Sequence, residues 1–193
     1  SRPSLAQTFR DSQGEVFTVV VNHFRSKGSP CAGDPDVGDG QGECNLTRTA
    51  AARAVVDWLA TDPTGSGDPD VLVMGDFNAY TREDPIQAIR AGADDQVGTS
   101  DDFEAVSGGQ WSYVFEGQAG ALDHAFLSTS LRRALSGAGF WHINADEPAV
   151  LGYDTSFKPP AQQALYEANA FRSSDHDPLI VGLKWPVVEP PVT

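Results

Sequence analysis

Asp175 and His176 stand side by side in Phe171-Arg172-Ser173-Ser174-Asp175-His176-Asp177-Pro178, just ahead of the apolar run Leu179-Ile180-Val181. A carboxylate oxygen can hold a hard cation, and an imidazole can take a proton from water near neutral pH. Pro178 ends the loop and sends the chain into a strand, so both groups lie at a strand's mouth. Alone, such a pair is a weak motif. Three other stretches offer matching chemistry: Asn22-His23-Phe24-Arg25-Ser26-Lys27-Gly28, Gly75-Asp76-Phe77-Asn78 and Leu122-Asp123-His124. Together the four supply three imidazoles, several carboxylates, two amides and flanking cations.

The elements around them decide whether these groups can meet. Glu15 to Asn22 alternates with apolar residues on both faces, which predicts a strand buried on both sides, with His23 at its end. Val71 to Met74 is a short, fully apolar strand, expected to be central, and Gly75 lets the chain turn at its end. Asp76 and Asn78 are two apart, so alternation places both on one side of that lip: an anionic acceptor beside a neutral donor. Leu122 to Ser128 reads as a strand with Asp123 at its entry and His124 packed within it. Trp111 to Phe115 and Ala138 to Ile143 are two more strands. Asn144 to Ala170 is a long polar segment of the kind that serves function, and Trp141-His142 before it offers a stacking surface for a base or a rim aromatic packed on its own loop. His23 and Asp76/Asn78 lie where strands end, Asp123 and Asp175/His176 where strands begin. Antiparallel pairing would bring all four to one rim, a set suited to metal-assisted phosphodiester hydrolysis.

Two helices complete the pattern. One runs from a cap at Asn45 or Thr47 to about Ala60, with Leu46, Ala50, Ala54, Val55, Trp58 and Leu59 as its apolar stripe. Arg48 lies off that stripe, facing substrate or a surface partner. The other starts at Asp84-Pro85 and ends near Gly92.

Composition narrows the classes. The 193 residues are 40% hydrophobic, enough for one domain with a core. Thirteen Lys and Arg against 27 Asp and Glu give a net charge of −14, which argues against gripping nucleic acid by bulk charge. A nuclease of this balance needs divalent metal and a local basic rim. No apolar run reaches the length of a membrane span, and the sequence suggests no exposed aromatic hairpin for docking on lipid. Cys31 and Cys44 flank a Gly/Asp/Pro loop that closes easily; a disulfide there would stabilise by roughly 3 kcal/mol and imply an oxidising, extracellular setting. Two free thiols are the alternative.

The four motifs, in this order, resemble those of the endonuclease/exonuclease/phosphatase superfamily. The likeness is nearest to the modular extracellular nucleases of bacteria, through the cysteine-flanked loop, Asn45-Leu46-Thr47-Arg48, Trp141-His142-Ile143-Asn144-Ala145-Asp146-Glu147-Pro148 and Arg172-Ser173-Ser174-Asp175-His176. The resemblance implies an α+β fold, a four-layered α/β/β/α sandwich of which this chain supplies mainly the second sheet and its helices. It implies a secreted endonuclease acting on DNA, with RNA as the alternative; the other readings are another phosphodiesterase or phosphatase on the same fold, such as a sphingomyelinase, or an inactive fragment acting only as a binding module. His176 would be the general base oriented by Asp123. Asp76 would position the nucleophile, Asn78 would touch the scissile phosphate, and His23 would neutralise developing charge. Asp175 would hold Mg²⁺ (Mn²⁺ or Ca²⁺ in its place) together with a Glu this chain lacks, and Asn22, Arg25, Lys27 and Arg172 would bind flanking phosphates. Residues 1–185 resemble the C-terminal half of the family domain and 186–193 a tail. A second polypeptide carrying the N-terminal half is the implied partner, and no membrane.

Overall fold

The computed structural model describes residues 1–186. The tail expected over 186–193 therefore lies, apart from Pro186, outside the described residues. In chain order the strands are β1 (Leu5–Arg10), β2 (Val16–His23), β3 (Val71–Asp76), β4 (Phe103–Ala105), β5 (Tyr113–Phe115), β6 (Gln118–Gly120), β7 (Asp123–Ser128), β8 (Leu135–Phe140) and β9 (Leu179–Leu183). Five form one sheet in the order β1-β2-β3-β7-β4; β5 and β6 make a hairpin, and β8 pairs with β9. Within the large sheet β2 and β3 run parallel, joined by the crossover through α1 (Asn45–Leu59), while β7 runs antiparallel to β3.

Alternation along these strands divides the core in two. Val20, Val73 and Phe126 face α1 and α2 (Asp84–Arg90) and meet Ala52, Val55, Val56, Ile86 and Ile89. On the other face Phe17, Val19, Leu72, Ala125 and Leu127 meet Leu135, Leu179, Val181 and Leu183 of β8 and β9. The fold is thus α+β, with helices on one side of the sheet and a small second β layer on the other. That second layer is narrow. β9 reaches β7, but Leu5, Phe9 and Val21, which share the inner face by register, remain 68%, 47% and 49% exposed. The expectation that β2 is buried on both faces fails at Val21 for this reason.

Helix α1 departs from the sequence reading in three ways. Its N-cap is Cys44 in a left-handed conformation with no side-chain cap of its own. Asp34, from the cysteine loop, caps instead: its carboxylate accepts the Leu46 N–H (3.1 Å) and the Thr47 N–H (2.7 Å). Leu46 and Trp58, assigned to the apolar stripe, are exposed. Arg48, expected at the surface or at substrate, is fully buried. Its guanidinium donates to the carbonyls of Glu43 (2.6 Å) and Gln41 (2.8 Å), pinning the loop closed by Cys31–Cys44 onto the helix.

Candidate active site

Strand register assembles the site. His23 is the cross-strand partner of Asp76, and Asp76 the partner of Asp123, so three adjacent strands present one row at the same rim. The fourth member arrives from the loop before β9, where a backbone bridge ties His176 to Tyr113. Gly75 makes the row possible. Its φ is 134°, and a Cβ there would lie 2.1 Å from the Asn22 carbonyl oxygen, so no side chain fits where β3 turns out of the sheet.

His176 donates from Nδ1 to Asp123 Oδ2 at 2.6 Å, which leaves Nε2 as the proton acceptor of the neutral ring. Burial by itself would lower the His176 pKa. The hydrogen bond and charge of Asp123, with further help from Asp76 and Asp175, outweigh it and raise the imidazole above its ordinary value. Asp76 moves up as well, pushed first by burial and then by the neighbouring Asp123 charge, against the opposing hydrogen bond from Asn78. His23 Nε2 lies 3.6 Å from Asp76 Oδ2. Asp76, Asp123 and His176 each offer a ligand atom within 4.8 Å of the others, and Asp175 lines the same cleft. Carboxylates crowded this closely, one already resisting ionisation, fit a hard divalent cation.

Asn78 has a different place from the one expected. It follows β3 in a left-handed turn (φ 47°) rather than along the strand. Its side-chain amide donates to Phe24 O (3.2 Å) and Asp76 Oδ2 (3.0 Å), and its backbone N–H donates to Asp76 Oδ1 (2.7 Å). Both amide hydrogens are therefore committed, and the residue holds Asp76 instead of presenting a free donor to a phosphate.

The expected phosphate ligands separate. Asn22 is buried on the opposite side of β2 from His23, accepting from Ser4 Oγ at 2.6 Å. Arg25 lies outside the cleft lining and reaches Pro30 O. Arg172 braces its own loop, donating to Asn144 O at 2.8 Å. Lys27 does line the cleft, yet its ammonium is held by both Glu83 oxygens at 2.5 and 2.6 Å and by Gln41 O at 2.7 Å. Burial lowers the Lys27 pKa and raises that of Glu83 against their mutual attraction. Trp141 and His142 form no joint stacking surface: His142 stacks on Trp111 and bonds to Asp177. His124 is a packed strand residue as expected, its Nε2 2.8 Å from Ala79 O, and burial lowers its pKa so that it stays neutral.

Three features escaped the sequence reading. Ser112 is fully buried and links the segments that carry Asp123 and His176, the hydrogen-bonded dyad. Its hydroxyl oxygen accepts the N–H groups of Leu122 and Asp123, both at 3.1 Å, and its carbonyl accepts the Asp177 N–H at 2.8 Å. Asp177 takes the N–H groups of Ile143, Asn144 and Ala145 on one oxygen, and Asn144 in turn donates to the His176 carbonyl at 2.7 Å. Neither residue bears any sequence signal beyond its neighbours. The third feature was legible: Tyr113 and Phe115 are two apart on a strand and so share a face. β5 and β6 form an aromatic hairpin with Phe115 57% exposed, which corrects the expectation that no such hairpin exists.

These groups surround an open cleft of about 800 Å³, lined by His23, Asp76, Asn78, Asp123, Asp175 and His176 with Tyr80, Tyr113 and Phe115. A second hollow, of about 460 Å³ at the far end of the sheet near Val71 and Ser128, has no imidazole in its lining.

The row lies at one rim of a sheet that carries its helices on one face and a small β layer on the other. Residues 5–176 match the model of the endonuclease/exonuclease/phosphatase family, and the chain belongs to that family. Among solved structures it is similar to a mannosyl-6-phosphatase of Bacteroides thetaiotaomicron (15% identity, TM-score 0.57, covering 94% of this chain and 57% of that one). It is also similar to beta toxin of Staphylococcus aureus (16%, 0.55, 91% and 55%) and to a beta toxin mutant with bound magnesium ions (15%, 0.54, 94% and 57%). The chain thus spans little more than half the length of the structures it matches. No curated protein sequence matches it.

Proposed function

We propose that this chain forms the catalytic rim of a secreted, metal-dependent endonuclease that hydrolyses phosphodiester bonds of DNA, with RNA as the alternative substrate. The row His23–Asp76–Asp123–His176 carries this reading. His176 Nε2 takes a proton from water, and Asp123 fixes the ring and stabilises the imidazolium that forms. Asp76, held by Asn78, accepts a hydrogen bond from the same water and aims it. As the new P–O bond forms, the bond to the leaving sugar oxygen breaks, and His23 faces the charge that develops on the phosphate or on that oxygen. Asp175, which lines the same cleft as Asp76 and Asp123, would hold Mg²⁺, for which Mn²⁺ or Ca²⁺ are alternatives. When bound, such an ion neutralises charge on the phosphate.

Two further observations support the wider reading. The Cys31–Cys44 disulfide, with its Cα atoms 5.4 Å apart, suits an extracellular setting. The exposed inner-face residues Leu5, Phe9 and Val21, in a chain spanning about half of its neighbours, fit a second polypeptide that carries the N-terminal half of the domain and covers them. Among the described residues no helix is long and apolar enough to cross a membrane.

The alternative is another phosphodiesterase or phosphatase on this fold, and the exposed β5–β6 hairpin removes one argument against a lipid substrate. Plasmid nicking with and without EDTA, run beside sphingomyelin and sugar-phosphate assays, separates the two. The proposal expects EDTA-sensitive nicking. Turnover of lipid or sugar phosphate with the plasmid left intact would contradict it.

A further inference from the structure

We infer that the Tyr113–Phe115 face of the β5–β6 hairpin is a stacking subsite for one nucleobase flanking the scissile phosphate. The inference deepens the nuclease reading and rests on it. The two rings lie nearly parallel, 11° apart with centroids 6.4 Å apart, and the Tyr113 ring lies 4.7 Å from the His176 imidazole. A single exposed phenylalanine is ordinary. This one continues a run of rings that begins at the general base.

The platform is fixed with respect to the chemistry. A backbone bridge joins Tyr113 to His176, and Ser112 is bonded to the Asp177 N–H on one side and to Leu122 and Asp123 on the other. Tyr80 buttresses the hairpin: a Cβ at Gly120 would lie 2.5 Å from Tyr80 Cε1, so the ring sits directly against the β6 backbone. A base stacked on Phe115 would therefore keep a set distance from the imidazole, and with it the phosphate attached to that nucleotide.

Charge explains why a neutral handle is needed. The chain has a net charge of −14. The nearby cations are already bound, Lys27 to Glu83, Arg48 to loop carbonyls and Arg172 to Asn144. Counterion release is correspondingly weak. Stacking on an aromatic side chain supplies affinity without charge and tolerates any base.

The test uses the whole protein and two single-stranded oligonucleotides of equal length. One bears every base; the other has abasic tetrahydrofuran residues on both sides of the cut phosphate. The wild-type enzyme is expected to prefer the first in kcat/KM by about 5- to 150-fold. Phe115→Ala should bring that ratio close to one, and Phe115→Tyr, which keeps the ring, should restore it. A ratio that Phe115→Ala leaves unchanged would overturn the inference, whether both rates stay the same or fall together. Wild-type cleavage with no preference removes the subsite and leaves the nuclease reading standing. Cleavage of neither oligonucleotide, with turnover of a sugar phosphate, removes both.

Discussion

Asp76 and Asp123 are register partners on adjacent antiparallel strands, so two carboxylates share one rim, and only Asp123 has the His176 imidazole bonded to it. That asymmetry separates their roles. In the proposed reaction Asp123 orients the base, while Asp76, kept in place by Asn78 and pushed toward its protonated form by burial and by Asp123, takes a cation or a water.

The cation can be tested apart from activity. Titration of Mg²⁺ into the protein by calorimetry is expected to give saturable binding, weakened in Asp175→Asn. In the same variant, half-maximal nicking should need more Mg²⁺. Identical titrations for the two proteins would take Asp175 out of the metal site.

Ser112→Ala removes the acceptor of two buried N–H groups. Leaving buried donors unpaired costs about 1–3 kcal/mol each, so urea unfolding should show a clear loss of stability. Because the donors are the N–H groups of Asp123 and of Leu122 just before it, kcat should fall while KM changes little. Wild-type kcat in this variant would show that Ser112 has no part in setting the dyad.

Lys27 and Glu83 form a mostly buried pair with side chains 23% and 7% exposed. Glu83→Ala strands the ammonium and is expected to cost about 3 kcal/mol. Replacing both residues, Lys27→Met with Glu83→Leu, should cost much less. If Lys27 instead held substrate phosphate, Lys27→Met would flatten the salt dependence of KM; the strut role leaves that slope unchanged.

Acid stability has a predictable sign at Asp177. Burial would raise its pKa, but the hydrogen bonds from Ala145, His142 and Asn144 prevail and hold it below the usual carboxylate range. A depressed folded-state pKa means that this contribution is fully present above the unfolded value, about 3.9. It is then lost as pH falls through the lower folded value. The stability gap between wild type and Asp177→Asn, measured by denaturant unfolding, should therefore be constant near neutrality and shrink below about pH 4. A gap that widens toward acid would reverse the assignment.

How much of this was legible in the sequence follows from what each feature depends on. Strand alternation and the motif residues locate His23, Asp76, Asp123 and His176 because each sits where a strand meets a loop, and strand ends are marked locally. Their convergence was conditional on antiparallel pairing, which holds between β3 and β7, whereas His176 comes from the loop before β9, a strand of the other layer. Partner choice is not marked locally. Nothing in the local sequence says that Asp34 caps α1 from another loop, that Arg48 is consumed by carbonyls, or that Lys27 meets Glu83, since those depend on how the disulfide loop folds back. Asn78 was misplaced because alternation was extended past Asp76, where the strand has already ended in a left-handed turn. Asn22 was misread because its neighbour His23 faces the site, and neighbours on a strand face opposite ways.

The central claim is that side chains from four separate stretches act on one phosphate with His176 as the base. The most direct measurement is the nicking rate of His176→Ala beside wild type in Mg²⁺, with unfolding curves recorded on the same samples. The account expects a loss of at least about 100-fold with the unfolding midpoint little changed. Equal nicking rates in the two proteins would contradict it.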